Sequence, residues 1–270
     1  DGFVTRLTSC FEKLKMENRK ALVVFITAGD PDLDATKNIL DVIDDSGADI
    51  IELGVPFSDP LADGPIIQAS ALRALKSGTT LRKILSLVKD IRKNRDLPIV
   101  LMTSFNPVFV YGEKQFVEDA VSVGVDGVIV PDLPPEESIE LSACAEKKGL
   151  DVIHLLAPTS PDERIHMIAK QSRGFIYYVS LTGTTGVRTQ LADGLRNRVA
   201  SIKLKSDLPV LIGFGISNPD LAREAVKFSD GVIVGSAVVE IIEKNSDSIQ
   251  RNKKLADFVT SVKQAISNSS

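Results

Sequence analysis

The chain has 270 residues, 43% of them hydrophobic and 25% charged, with 32 Lys and Arg against 36 Asp and Glu for a formal net charge of −4. That length and apolar content allow one large core of barrel size, and interspersed charges of both signs with a small negative excess leave no basic footprint for nucleic acid. No apolar run approaches the length that spans a bilayer and the first residues carry no signal-peptide core, so a soluble protein is expected. Two cysteines (Cys10, Cys144) and two histidines (His154, His166) are too few for a disulfide framework or a metal cluster. No metal is expected, and the cysteine usage suits a reducing compartment, the cytoplasm or, in a plant, the plastid stroma.

Residues 9–19 read as a charged amphipathic helix, with Phe11, Leu14 and Met16 as its apolar positions. The next run, 21–28, is continuously apolar and ends at Gly29-Asp30-Pro31, the mark of a strand buried on both faces of a parallel sheet. The figure recurs at 49–55, 98–105, 127–132, 151–157, 175–181, 209–216 and 231–237, eight strands in all. Helical patterns lie between them at 33–46, 65–93, 113–123, 135–148, 161–172, 191–205, 218–228 and from 238 onward. Strict alternation of this kind predicts βαβ units, and eight of them predict an α/β fold, a (β/α)8 TIM barrel, as a single domain over 1–270. The amino-terminal helix is extra to the barrel, and the long segment after Asp63 predicts an extra short helix after the second strand.

One stretch in this frame has unusual chemistry: Glu52 sits in an otherwise apolar strand that runs into Pro56-Phe57-Ser58-Asp59-Pro60-Leu61-Ala62-Asp63-Gly64-Pro65. A carboxyl projecting from an apolar strand loses hydration, so its pKa rises toward the range where it can both give and take a proton. Asp63 lies in a stiff turn that could return over the same space, and two acids in unlike environments can divide acid and base roles. Buried acids are also often structural, capping a helix or pairing with a cation. In a barrel the strand carboxyl ends and the loops after them build the site. Glu52, Asp63, Asp132 and the small-residue loop at 183–186 all fall there.

The last two strands finish as Gly213-Phe214-Gly215-Ile216-Ser217 and Val234-Gly235-Ser236-Ala237. Glycines admit close backbone approach and a helix start aims N–H groups at an anion, which predicts a phosphate site in the position barrels use for one. Ordinary turn glycines are the alternative. The loop 180–188, rich in Gly and Thr, reads as a lid that also completes the phosphate site through Gly186. Of the adjacent Tyr177 and Tyr178, one must face the barrel interior and the other the helices. Phe25, Met102, Ile129, Ile153 and Phe214 are candidates for an apolar pocket, or simply barrel filling.

The long stretch from Glu52 to Pro65, with Thr27-Ala28-Gly29-Asp30-Pro31, the segment 213–217 and Gly235-Ser236, resembles the signatures of the tryptophan synthase alpha-subunit family over essentially the whole chain. The resemblance implies retro-aldol cleavage of indole-3-glycerol phosphate to indole and glyceraldehyde 3-phosphate, without a cofactor in this chain. It implies Glu52 as general acid and base, Asp63 as acceptor of the indole N–H, Tyr177 as a pocket residue and Thr185 as the lid residue that reaches Asp63. Phe25 and Phe214 would bind substrate, with Gly186, Gly215, Gly235 and Ser236 at its phosphate. It further implies a pyridoxal-phosphate beta subunit that receives indole, in an alpha2beta2 assembly, with Pro56, Asp59, Asn106, Phe109 and Pro134 on the contact face. Ser104, where many relatives have tyrosine, bears on pocket shape and partner contact; Thr184, where valine is common, matters little. A stand-alone lyase releasing free indole would share every catalytic residue, and a phosphate-binding barrel acting mainly as activator of a partner is a further alternative. Another phosphosugar barrel, an isomerase or epimerase, fits the Glu52 and Asp63 signature less well.

Overall fold

Every residue of Ala21–Thr27 is buried, as a continuous apolar run requires, and it forms the first strand of a parallel sheet. The computed structural model describes residues 4–60, 63–179, 188–213 and 215–267, with no side-chain detail for 188–193. In chain order its elements are α1 (Arg6–Met16), β1 (Ala21–Thr27), α2 (Leu33–Asp45), β2 (Ile50–Gly54), α3 (Pro65–Lys76), α4 (Leu81–Ile91) and β3 (Ile99–Met102). There follow α5 (Phe105–Tyr111), α6 (Glu113–Val123), β4 (Gly127–Ile129), α7 (Ile139–Lys148), β5 (Asp151–Ile153), β6 (Leu155–Leu156), α8 (Asp162–Gln171) and β7 (Ile176–Val179). The last third adds α9 (Arg188–Lys203), β8 (Val210–Gly213), α10 (Pro219–Ala225), β9 (Gly231–Val234), α11 (Ser236–Lys244) and α12 (Ser248–Ser267).

The sheet order is β5-β4-β3-β2-β1-β9-β8-β7-β6, and all its pairings are parallel. Its two ends are consecutive in sequence. β5 pairs with β4 and β6 with β7, and only His154 stands between β5 and β6, its carbonyl accepting the Tyr177 N–H at 3.3 Å. The pair is therefore one strand position that turns from one neighbour to the other, and the ring has the eight positions that the strand periodicity predicts.

Alternate residues divide into two cores. The outer faces of the strands pack on the helices through residues such as Leu22, Val24, Leu53, Leu101 and Tyr178. The interior is filled by Val23, Ile50, Val100, Ile129, Ile153, Tyr177, Leu211 and Ile233. Leu7 and Leu14 of α1 belong to that interior cluster, so the amino-terminal helix plugs the barrel floor with its apolar stripe.

The rim around that floor is pinned by one repeated device. Asp49, Asp126 and Asp230 each directly precede a strand, and their side chains accept the N–H of Leu22 (2.8 Å), Ile99 (2.8 Å) and Val210 (2.9 Å) on the neighbouring strand. Each also meets a cation: Lys263 at Asp49, Arg92 at Asp126 and Lys203 at Asp230.

Some element boundaries differ from the periodicity. The pattern at 65–93 is two helices, α3 ending at Ser77 and α4 starting with the Thr80 hydroxyl accepting the Lys83 N–H, so α3 is the extra helix after the second strand. The third strand stops at Met102, and Asn106-Pro107 lies in α5, whose first amide, Phe105, is capped from across the barrel mouth by Asp132 Oδ1 at 2.8 Å. No local signal in 98–112 reveals a cap supplied from the β4 loop. The helix at 135–148 begins only at Ile139, since the Ser138 N–H is held by the Pro134 carbonyl in a turn. The chain from 238 onward belongs to α11 and α12, the second folding back onto α10 and α2.

Candidate active site

β2 turns Glu52 into the barrel beside Phe25 on one neighbouring strand and Val100 on the other. It is 1% exposed, and among the described residues its Oε2 finds no hydrogen-bond donor. Burial, and after it the nearby Asp63 carboxylate, push the Glu52 carboxyl up to about 8. Asp63 stands at the end of the following loop, just before the Gly64 that caps α3, with its carbonyl accepting Gln68 Nε2 at 2.7 Å. Burial and then the charge of Asp132 raise its carboxyl as well. Two acids thus overlook one space at different depths, which is the condition for separate proton-transfer roles.

That space is a cavity of ≈ 180 Å³ at the carboxyl ends of the strands. Glu52 and Asp63 line one side of it, with Phe25, Met102, Tyr177 and Ile233 as apolar and aromatic wall. Tyr177 faces inward and Tyr178 outward, as strand alternation requires. Burial and then Glu52 and Asp63 raise the Tyr177 phenol well above its ordinary value, so it stays neutral.

Two glycines make room for the aromatic walls. A Cβ on Gly213 would lie 2.4 Å from the Tyr177 ring, and one on Gly54 would lie 2.6 Å from the Phe25 ring. The far side of the cavity is Gly215, Ile216, Ser217, Gly235, Ser236 and Ala237. Gly215 has φ +76°, and Gly235 is the N-cap of α11. The first amides of a helix have no intrahelical acceptor, so this corner offers donors and a positive dipole end to an anion.

The structure thus gathers Glu52, Asp63, Tyr177, Phe25, Gly215, Gly235 and Ser236 around one cavity. Thr185, Gly186 and Phe214 lie outside the described residues, as does the proposed lid with Thr184. Ile129 and Ile153 do not line the cavity but belong to the packed barrel interior, although Ile129 lies in register with the cavity-lining Met102. Ile67 of α3 and Ile233 take their place in the wall. Ile233 was legible from the alternation 231, 233, 235 on the last strand; Ile67 depends on how α3 folds over the mouth.

A second, smaller pocket shares Phe25, Asp63 and Met102 and runs out between Pro56, Ser104, Pro131 and Asp132. Serine at 104 leaves this exit wider than a tyrosine would. Around it Pro56 is buried and Pro134 half-buried, while Asp59 and Asn106 are exposed. Phe109 is 65% exposed, and Val110 and Ile139, which sequence reading passed over, are 77% and 69% exposed. Among the described residues no three His, Cys, Asp or Glu side chains are grouped to hold a metal, and no helix is long and apolar enough to cross a membrane.

Comparison with known proteins bears on the family and the fold. The sequence profile of the family described as tryptophan synthase alpha chain matches residues 11–267. The tryptophan synthase alpha chain of Geobacter sulfurreducens is 50% identical over 265 residues, covering 98% of this chain and 100% of the relative. The crystal structure of tryptophan synthase subunit alpha from Legionella pneumophila superposes with a TM-score of 0.89 at 38% identity, covering 98% of this chain and 100% of that one. A chain of the M. tuberculosis tryptophan synthase structure in its aminoacrylate-bound form gives a TM-score of 0.87 at 33% identity, covering 97% and 100%. The chain belongs to the tryptophan synthase alpha chain family.

Proposed function

We propose that Glu52 is the general acid and base, and Asp63 the acceptor of the indole N–H, in the retro-aldol cleavage of indole-3-glycerol phosphate. That cleavage, a carbon–carbon lyase reaction, is the reaction of the family to which the chain belongs. The observation that carries the assignment is the Glu52 carboxyl itself: buried, without a donor on Oε2, raised to about 8 and at the wall of the cavity. It is protonated at neutral pH and able to give that proton.

The steps follow from the placement. Glu52 delivers its proton to indole C3 while Asp63 accepts the ring N–H and offsets the positive charge that develops there. The bond from C3 to the side-chain carbon then breaks, its electron pair returning to the ring. The hydroxyl on that carbon becomes the aldehyde of glyceraldehyde 3-phosphate and its proton goes to the Glu52 carboxylate, which restores the starting acid. General acid–base help of this kind is worth about 10²–10⁴-fold. The aromatic wall of Phe25 and Tyr177 suits the flat ring and Gly215, Gly235 and Ser236 suit the phosphate; of the residues not described, we assign Gly186 to the phosphate, Phe214 to the ring pocket and Thr185 to the lid contact with Asp63.

The alpha chain name implies a beta partner. We place its docking face at Asp59, Asn106, Phe109 and Pro134, extended by the exposed Val110 and Ile139, with Pro56 behind them shaping the exit. We assign pyridoxal phosphate to the beta subunit of an alpha2beta2 assembly. Indole release from indole-3-glycerol phosphate, followed with and without a beta subunit and with Glu52→Gln as control, tests the reading. Slow release that the partner accelerates is expected; fast release that the partner leaves unchanged would mean a free-standing lyase. No release under either condition would remove the enzymatic reading.

A further inference from the structure

Asp63 and the phosphate corner come from different elements, and one arginine ties those elements together. α3 starts directly after Asp63 and Gly64, and α11 starts at Ser236; the amino-terminal ends of both border the cavity. The two helices pack on each other. About 12 Å along the α3 axis from Pro65, Arg73 grips the buried Asp30 of the β1 loop with both Nε and Nη2, each at 2.8 Å, and reaches Glu243 of α11 at 2.7 Å through Nη1. The fork geometry is directional, so it sets orientation as well as distance.

Arg73 is the centre of a polar stripe on α3. Ser70 shares a 2.7 Å hydrogen bond with Thr27 at the end of β1, and Ser77 donates to the Gly29 carbonyl at 3.0 Å. Positions 70, 73 and 77 lie on one helix face. The stripe therefore fixes the rotation and axial position of α3 against β1, the strand that faces Glu52 in register through Phe25. Among the described residues, the Arg73 link alone extends from this stripe to α11.

We propose that Arg73 is a positioning residue that sets the separation between the Asp63 carboxylate and the phosphate corner, so that a substrate anchored by its phosphate presents its ring N–H to Asp63. The proposal rests on the assignment of the reaction above and adds to it a residue that touches no substrate. A misplacement of about 1 Å costs on the order of 10²-fold in rate when reacting groups must be aligned.

The test is indole release from indole-3-glycerol phosphate by the full chain and by Arg73→Met, Arg73→Lys and Glu243→Gln, with inorganic phosphate binding measured by calorimetry in parallel. The chain has no Trp, so the indole signal is clean. Arg73→Met is expected to lose about 10–100-fold in kcat while inorganic phosphate binds within about threefold of the parent, since the corner itself stays built. Arg73→Lys keeps the charge without the fork and should fall between. Glu243→Gln weakens only the link to α11, replacing the charged acceptor by a neutral amide oxygen, and should raise KM several-fold with a smaller change in kcat. Arg73 variants that keep the parent kcat or lose phosphate binding in proportion to kcat, or a Glu243→Gln chain that keeps the parent KM, overturn the proposal. If Arg73→Met fails to fold, the other two variants decide by the same criteria. A parent chain that releases no indole overturns the assigned reaction and this proposal with it, whereas an active parent with unaffected variants overturns the proposal alone.

Discussion

The two ends of this barrel bury acids in opposite ways. At the floor, Asp126 is 4% exposed, but its carboxylate accepts the Ile99 N–H and meets Arg92 and Arg6. At the mouth, Glu52 is 1% exposed, and its Oε2 has no donor among the described residues. Burial raises both carboxyls. At Asp126 the Ile99 amide and the two arginines pull back, whereas at Glu52 the second influence, Asp63, pushes the same way. A buried acid that is fully satisfied holds strands together; one with an oxygen that no described donor reaches keeps its proton near neutral pH and is available for chemistry.

Exchanging the roles breaks this comparison most sharply. Glu52→Gln should lower kcat by about 10²–10⁴-fold with substrate binding largely intact and the fold retained, read by single-turnover indole release and calorimetry. Loss of the fold instead would move Glu52 to the structural class. Asp126→Ala should do the reverse: it takes the carboxylate away from Arg92, Arg6 and the Ile99 amide and should cost about 3–5 kcal/mol by denaturant unfolding, with the kcat of the folded fraction kept. Between these lies the aromatic wall. Gly213→Ala forces the Tyr177 ring to move, because the added Cβ falls 2.4 Å from it, and should reduce kcat/KM by about 10–100-fold. Unchanged kinetics would show that the ring position does not matter.

The pH dependence refines the contrast. An acid raised to about 8 is protonated below that pH, so kcat/KM should hold to about pH 8 and then fall about tenfold per unit. A limb near pH 5 would contradict the buried acid. The smallest expected effect concerns stability. Because the folded pKa of Glu52 lies above the ordinary value of 4.5, its ionisation is penalised in the fold. The parent is free of that cost at pH 4, loses stability as pH rises toward 8, and levels off above. Glu52→Gln, which cannot ionise, should gain on the parent over that window by on the order of a few kcal/mol at most. Thermal melts at pH 4 and pH 9 read the difference.

Much of this was visible along the chain. Continuous apolar runs bounded by Gly, Pro and Asp mark all eight strand positions, because a strand buried on both faces leaves no polar residue to alternate with. The odd acid in such a run marks Glu52, and the barrel rule places it with Asp63 and the glycine corner before any coordinate is known. Less legible were α5, whose cap comes from Asp132 across the mouth, and the break between α3 and α4.

Sequence by itself determined the strand count, the parallel order and which end of the barrel carries the chemistry, since these follow from periodicity and from the one-way connection of βαβ units. Tertiary structure alone decided which buried acids are satisfied, how Gly213 and Gly54 yield to Tyr177 and Phe25, and how Arg73 joins Asp30 to Glu243. Hydrogen-bond satisfaction and close approach depend on distances between residues up to 214 positions apart, and no local pattern encodes them.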